Sequence, residues 1–345
     1  MNATVSRLGA VLGLLMLTAS MGTFLGACAQ QETPAATTPK MIKIDGSSTV
    51  FPISKALAEK FQKQKANAIV VEVNFSGTTG GFKKFCAGET DISNASRPIL
   101  AKEMQACKQA GVPYIELPVA FDALTVAVNP QNNWAKEITL AELKKIWEPA
   151  AEGKITRWNQ VRASWPNRPL NLYGAGKDSG TFDYFTEAVV GEPDASRQDY
   201  TASEDDDFLV KGVSEDANAL GYFGFAYYEA NKDKLKALAI DSGKGPILPS
   251  RETVENNQYQ PLARPLFIYV NAKTAQTKPE LISFVEFYLK NAAQVVTSVG
   301  YIPLPNEVYR IALMHFYEGK VGTVFEGKAQ LNLTLKELLR KQETY

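Results

Sequence analysis

Three observations in this sequence predict an α/β protein of two lobes. Strand-like runs alternate with amphipathic helical ones, the pattern of parallel-rich sheets covered by helices. The body beyond the N-terminal segment exceeds 300 residues, more than one hydrophobic core usually holds. Turns rich in glycine and hydroxyl side chains recur between a strand and a helix, where α/β proteins place their ligands.

Taken in order, strands are predicted at Met41–Ile44, Ile69–Phe75, Tyr114–Leu117, Leu124–Asn129 and Leu170–Tyr173. Helices are predicted at Pro52–Gln62, Leu140–Trp147, Thr181–Val190 and Ile282–Ala293. Pro52 suits a first helical turn, where its missing N–H costs little. Thr139 with Glu142 makes a capping box. The aromatic run Tyr222–Tyr228 reads as a core strand passing into a helix. Ser203 with Asp206 reads as a helix cap, and Glu204–Asp207 as a solvated first turn lacking the glycine and spaced acids of a calcium loop. Two β-rich segments with little charge, Ala123–Asn129 and Pro265–Asn271, are the natural crossings between lobes. They divide the chain into a discontinuous lobe I, 42–125 plus 268–345, and an inserted lobe II, 126–267.

The ends and the composition restrict function. Residues 1–27 carry one basic residue, Arg7, then an apolar run from Leu8 to Leu17, the form of a secretory signal and too short for a membrane span. Leu25-Gly26-Ala27-Cys28 resembles the bacterial lipoprotein signal, with Cys28 as the acylated N-terminus. Residues 28–41 hold almost no large apolar side chain and read as a flexible tether. Membrane contact is thus expected through the lipid alone. The whole chain has 37 basic and 37 acidic residues, and a neutral surface argues against a nucleic-acid partner. Cys86 and Cys107 lie 21 positions apart, outside metal-ligand spacings, and in an oxidising compartment they are expected to pair. His315 is the sole histidine, in a helical context far from any candidate nucleophile, so a Ser-His triad or a metal phosphatase site has no base or ligand set to work with.

The richest turn is Gly174–Phe185, reading Gly-Ala-Gly-Lys-Asp-Ser-Gly-Thr-Phe-Asp-Tyr-Phe. Others are Asp45-Gly46-Ser47-Ser48-Thr49-Val50-Phe51-Pro52 and Ser76-Gly77-Thr78-Thr79-Gly80-Gly81. Each brings unpaired backbone N–H groups and hydroxyls to the positive end of a helix, a setting for an oxyanion. With Asp91–Ile99 and Leu220–Tyr228, these motifs come in the order seen in one family. The chain resembles the phosphate-binding proteins of bacterial phosphate-specific ABC transporters, over about Ile42 to Val270. The resemblance implies a type II periplasmic-binding-protein fold with two crossover hinge strands and ligand in the inter-lobe cleft. It implies a phosphate-binding lipoprotein at the periplasmic face that passes its ligand to a membrane permease, acting as a monomer without cofactor, metal or catalytic residues.

The ligand set expected is Ser48, Thr49 and the Val50 N–H from the first loop, Thr78 from the second, Ser96 and Arg97 from the third, and Ser179, Gly180 and Thr181 from the fourth. Directed hydroxyls and N–H groups with one arginine suit a tetrahedral anion. The family pattern places an aspartate where Arg97 stands and an arginine where Ala175 stands. Asp183 or Asp122 is therefore expected to accept the ligand's own proton, with Asp183 preferred for its place near the helix start. The alternatives are another oxyanion such as sulfate, molybdate or arsenate, a sensor or scaffold built on the same fold, or an exported phosphoester hydrolase.

Overall fold

The computed structural model describes residues 40–345; the expected signal, tether and Cys28 lie outside them. Thirteen strands occur there: β1 Lys40–Gly46, β2 Ile69–Val73, β3 Ile92–Ala95, β4 Tyr114–Ala123, β5 Thr125–Val128, β6 Glu137–Thr139, β7 Asn171–Ala175, β8 Thr201–Ser203, β9 Ala219–Phe223, β10 Lys236–Ala237, β11 Ala239–Asp241, β12 Pro246–Ile247 and β13 Ala263–Asn271. Two five-stranded sheets organise the molecule, ordered β2-β1-β3-β13-β4 and β10-β5-β9-β7-β8, with a small β12-β11-β6 sheet beside the second.

The sheets are more mixed than the alternating pattern predicts. The β1–β2, β1–β3, β7–β8 and β7–β9 pairs are parallel, as crossover helices require. β13 runs antiparallel to both β3 and β4, and β5 antiparallel to β9. The cause is the route of the chain, which leaves the first sheet along β4 and returns to it along β13. The exit needs no loop, since β5 follows β4 after the single residue Leu124. At that point the Leu124 N–H donates to the Leu262 carbonyl at 2.8 Å, so the outgoing and returning segments cross side by side.

The strand expected at Tyr114–Leu117 is shorter than the one observed, although Pro118, which follows it, lacks a ladder donor. The strand continues to Ala123 because the register with β13 shifts between Leu266 and Phe267, leaving an extra residue at Val119. All ten β4 residues are buried, including two acids, Glu116 and Asp122. The helix Leu140–Trp147 is capped by Thr139 and Glu142 as expected. The segment read as one helix over Thr181–Val190 is α-helical over Gly180–Phe185 and then widens to a π turn, Thr186–Val190. There the Thr186 hydroxyl donates back to the Phe182 and Asp183 carbonyls at 2.9 and 3.1 Å, the local competition that distorts helices.

Cys86 ends the helix Gly77–Cys86 and Cys107 lies in the helix Ala101–Gln109, with their sulfurs 2.01 Å apart. The link encloses the turn carrying Ser96 and Arg97. No helix among the described residues is long and apolar enough to cross a membrane.

Candidate functional site

Three helix starts converge between the sheets: those of Phe51–Gln64, Gly77–Cys86 and Gly180–Phe185. The Thr49 and Thr181 hydroxyls share a hydrogen bond of 3.2 Å, and those of Thr78 and Ser96 share one of 3.1 Å. A Cβ on Gly180 would stand 2.5 Å from Thr78 Oγ1 and 2.7 Å from Ser96 Oγ, so only glycine allows this approach. The Thr79 N–H donates to the Asp178 carbonyl at 2.9 Å, and the backbone of Gly77, at φ +77°, lies against the same residue. Ser179 caps its helix by accepting from the Thr181 N–H at 3.1 Å, and the Val50 N–H leans on Ser47 Oγ at 3.4 Å. Ser48, Thr49, Val50, Thr78, Ser96, Ser179, Gly180 and Thr181 are thus gathered at one locus, nearly all of them sealed from solvent.

The cation at this locus is Arg264, on the returning strand. Its Nε and Nη2 donate to Asp122 Oδ2 at 3.0 and 2.8 Å. Nη2 also reaches Thr181 Oγ1 at 2.8 Å and Thr49 Oγ1 at 3.3 Å, while Nη1 donates to the Gly180 carbonyl at 3.3 Å. Both partners of the Arg264–Asp122 pair are 0% exposed. Of the five N–H groups on a guanidinium, one on Nη1 has no acceptor among the described residues. Asp122 Oδ1 accepts the Phe225 N–H at 2.8 Å and keeps lone-pair capacity to spare. Sequence reasoning missed Arg264. The available signal was its register: Arg264 pairs directly with Asp122, each the lone charge near the inner end of an apolar strand.

Arg97 and Asp183 require a correction. The Arg97 guanidinium is spent inside the protein: Nε donates to Asp183 Oδ2, Nη1 to the Pro98 carbonyl and Glu103, and Nη2 to Thr79 Oγ1 and Glu103. No N–H remains for a ligand. Burial opposes the Arg97 charge, but the Glu103 and Asp183 carboxylates outweigh it and raise its pKa. Asp183 lies about 200° round the helix from Thr181, two residues at 3.6 per turn, and so faces Arg97 rather than the converging hydroxyls. Burial pushes the Asp183 carboxyl up to about 7, with Arg97 opposing and Asp194 adding to the rise. The expected ligand contact at Arg97 is instead an ion pair between the segment after β3 and the helix after β7.

The acidic run also differs from expectation. The cap of the helix Asp206–Glu215 is Asp205, which accepts from the Asp207 and Phe208 N–H groups; Ser203 and Asp206 do not form it. Asp206 is 4% exposed instead of solvated. Its Oδ1 accepts the Gly224 N–H at 3.4 Å. The Tyr227 hydroxyl donates to the Ser48 carbonyl at 2.9 Å. Burial pushes Asp206 up to about 6, with Ser48, Gly224 and Arg264 opposing.

Among the described residues no group of three His, Cys, Asp or Glu is placed to hold a metal. His315 is buried near the C-terminus with its ring 5.6 Å from that of Tyr345.

Comparison with known proteins agrees with this architecture. Residues 29–292 match the model of a PBP superfamily domain. The chain is 57% identical over 313 residues to protein SphX of Synechocystis, covering 91% of this chain and 93% of that one. It is 37% identical over 272 residues to the phosphate-binding protein PstS of Staphylococcus epidermidis, covering 79% and 81%. Among solved structures, a possible phosphate-binding protein from Planctomyces limnophilus is 44% identical with a TM-score of 0.61, over 82% of this chain and all of that one. A putative phosphate ABC transporter substrate-binding protein from Clostridium perfringens, solved with bound phosphate, is 27% identical with a TM-score of 0.64, over 77% and 100%. The chain therefore belongs to the PBP superfamily, in the family that holds SphX and the PstS phosphate-binding proteins.

Proposed function

We propose that this chain binds inorganic phosphate between its lobes, outside the cytoplasmic membrane, and delivers it to the permease of an ABC transporter. The observation that carries the reading is the convergence of three hydroxyl-bearing helix starts on one buried Arg264–Asp122 pair. Hydroxyls of Ser48, Thr49, Thr78, Ser96, Ser179 and Thr181 and N–H groups of Val50 and Gly180 would meet the phosphate oxygens, and the unpaired Arg264 N–H would add one charge-assisted bond. Asp122 is the carboxylate proposed to accept the ligand's proton. A site built round that bond can reject sulfate, which brings no proton, by ~10⁴-fold or more.

Export through residues 1–27, acylation at Cys28, tethering through 28–41 and a monomeric state belong to the same proposal. So does the division into lobe I, 42–125 with 268–345, and lobe II, 126–267. Pairing of β13 with β4 from Ala263 onward favours moving the return to lobe I a few residues earlier. The test is calorimetric titration of phosphate into residues 29–345, freed of bound ligand by unfolding and refolding, with sulfate in parallel. One-to-one binding of phosphate with sulfate silent supports the reading; silence toward phosphate overturns it.

A further inference from the structure

Arg97 and Asp183 sit on opposite sides of the division proposed above. Arg97 follows β3 of the first sheet, and Asp183 lies in the helix Gly180–Phe185, after β7 of the second. Arg97 is seated firmly in its own half. Glu103 accepts from Nη1 and Nη2 at 2.9 and 2.8 Å, the Pro98 carbonyl from Nη1 at 3.1 Å, and Thr79 Oγ1 from Nη2 at 2.8 Å. The Cys86–Cys107 link joins the two helices that carry Thr79 and Glu103. Only Nε reaches across, donating to Asp183 Oδ2, and both side chains are buried. Each partner adjoins proposed ligand donors: Ser96 precedes Arg97, Thr78 precedes Thr79, and Thr181 stands two residues before Asp183. The pair therefore holds two halves of the donor set against each other, and no Arg97 N–H is left over for the anion. The other ion pair between these segments, Lys83 with Asp178, has side chains 67% and 47% exposed and contributes little in water.

We propose that Arg97 and Asp183 are positioning residues that latch the lobes shut, with or without phosphate, and so set how fast phosphate enters and leaves. The inference rests on the phosphate reading above. When the lobes part, Arg97 stays with Glu103 and water satisfies Nε; when they meet, Asp183 must do so. Truncating Asp183 then leaves a buried, charged N–H unpaired in the closed form alone, and an unpaired buried donor is costly. Closed states lose ground to open ones, loaded or empty. Release quickens because opening is easier, and capture quickens because more of the empty protein stands open. The two changes offset each other in the dissociation constant.

The experiment follows radiolabelled inorganic phosphate onto and off the wild type, Asp183→Ala and Asp199→Ala. It is run at pH 8, above the value of about 7 to which burial pushes the Asp183 carboxyl. Asp199 pairs with Arg197 inside lobe II, Nη2 donating at 2.8 Å, and supplies the comparison of a lost ion pair that spans nothing. Asp183→Ala should raise the release and association rates together by about 10–150-fold, with a dissociation constant within about tenfold of wild type. Asp199→Ala should leave both rates unchanged. A release rate in Asp183→Ala equal to that of the wild type overturns the inference. So does faster release with unchanged association, which makes phosphate and not the pair the agent of closure. Equal acceleration by Asp199→Ala overturns it too, as a general loosening. If Asp183→Ala does not fold, Asp183→Asn decides on the same two rates, since its neutral oxygen makes a weaker bond: both faster supports the latch, both unchanged refutes it. If the wild type binds no phosphate, the functional reading falls, and small-angle X-ray scattering of the empty proteins decides the latch. Asp183→Ala should then have the larger radius of gyration, and equal radii overturn the inference.

Discussion

Replacing Arg264 by methionine tests the centre of the site most directly. Methionine fills much of the same space but leaves Asp122 wholly buried and without its bonds of 2.8 and 3.0 Å. Breaking a buried pair in this way costs about 3–5 kcal/mol, a drop in melting temperature on the order of 10 °C for a chain of this size. Loss of the charge-assisted bond should weaken phosphate binding by about 10–150-fold. The informative comparison is the double variant Arg264→Met with Asp122→Asn. The asparagine oxygen still accepts the Phe225 N–H, and no orphan charge remains, so most of the stability should return. Phosphate binding should not. Thermal melts and calorimetric titrations on the three proteins separate the roles. Wild-type affinity in Arg264→Met, or binding that returns together with stability in the double variant, would refute the placement of the anion at this pair.

Three further outcomes follow from the geometry. Arg97→Ala should destabilise the protein by about 3–5 kcal/mol, because Glu103 and Asp183 lose their shared cation, while calorimetry shows phosphate affinity within about tenfold of wild type; a lost affinity with an unchanged melt would return Arg97 to the ligand. Gly180→Ala should abolish high-affinity binding with little change in melting temperature, since the open lobes accommodate a Cβ that in the closed form meets Thr78 and Ser96 at 2.5 and 2.7 Å; full affinity would show that this approach is not needed. Glu116, bonded by the Tyr269 and Thr323 hydroxyls at 2.6 and 2.5 Å, is pushed up to about 7 by burial. Its folded pKa lies above the unfolded one, so the folded state holds the proton more tightly and stability falls as pH rises toward 7. Glu116→Gln should remove that fall in melts at pH 5 and pH 8, and an unchanged pH dependence would contradict it.

Much of this fold was legible in the sequence because its signals are local. The Thr139–Glu142 box and the apolar spacing of Leu143, Ile146 and Trp147 determine their helix without help from distant residues. The hydroxyl-rich turns were legible for the same reason. What local reading lost depends on partners far along the chain. Arg264 finds Asp122 across 142 positions, and Arg97 finds Asp183 across 86. Asp206 looked solvated because its neighbours are acidic, yet the fold leaves it 4% exposed with the Gly224 N–H, 18 positions on, against it. The preference for Asp183 over Asp122 as proton acceptor rested on nearness in sequence to Thr181, whereas the turn of the helix sends the two side chains in opposite directions.

The crossing of strands at Leu124 and Leu262 bears on how ligand is let go. Asp122 and Arg264 lie within two residues of that crossing, next to the fulcrum on which the lobes would swing. Parting the lobes carries Gly180 and Thr181 away from Thr49 and Thr78, while the Asp122–Arg264 pair, on two strands paired to each other, stays joined. Discharge of the anion is then a loss of directed N–H and O–H donors from one side, with the local charge balance left intact. A receptor of this design should release its cargo at a rate set by mechanical opening, and one nearly indifferent to ionic strength.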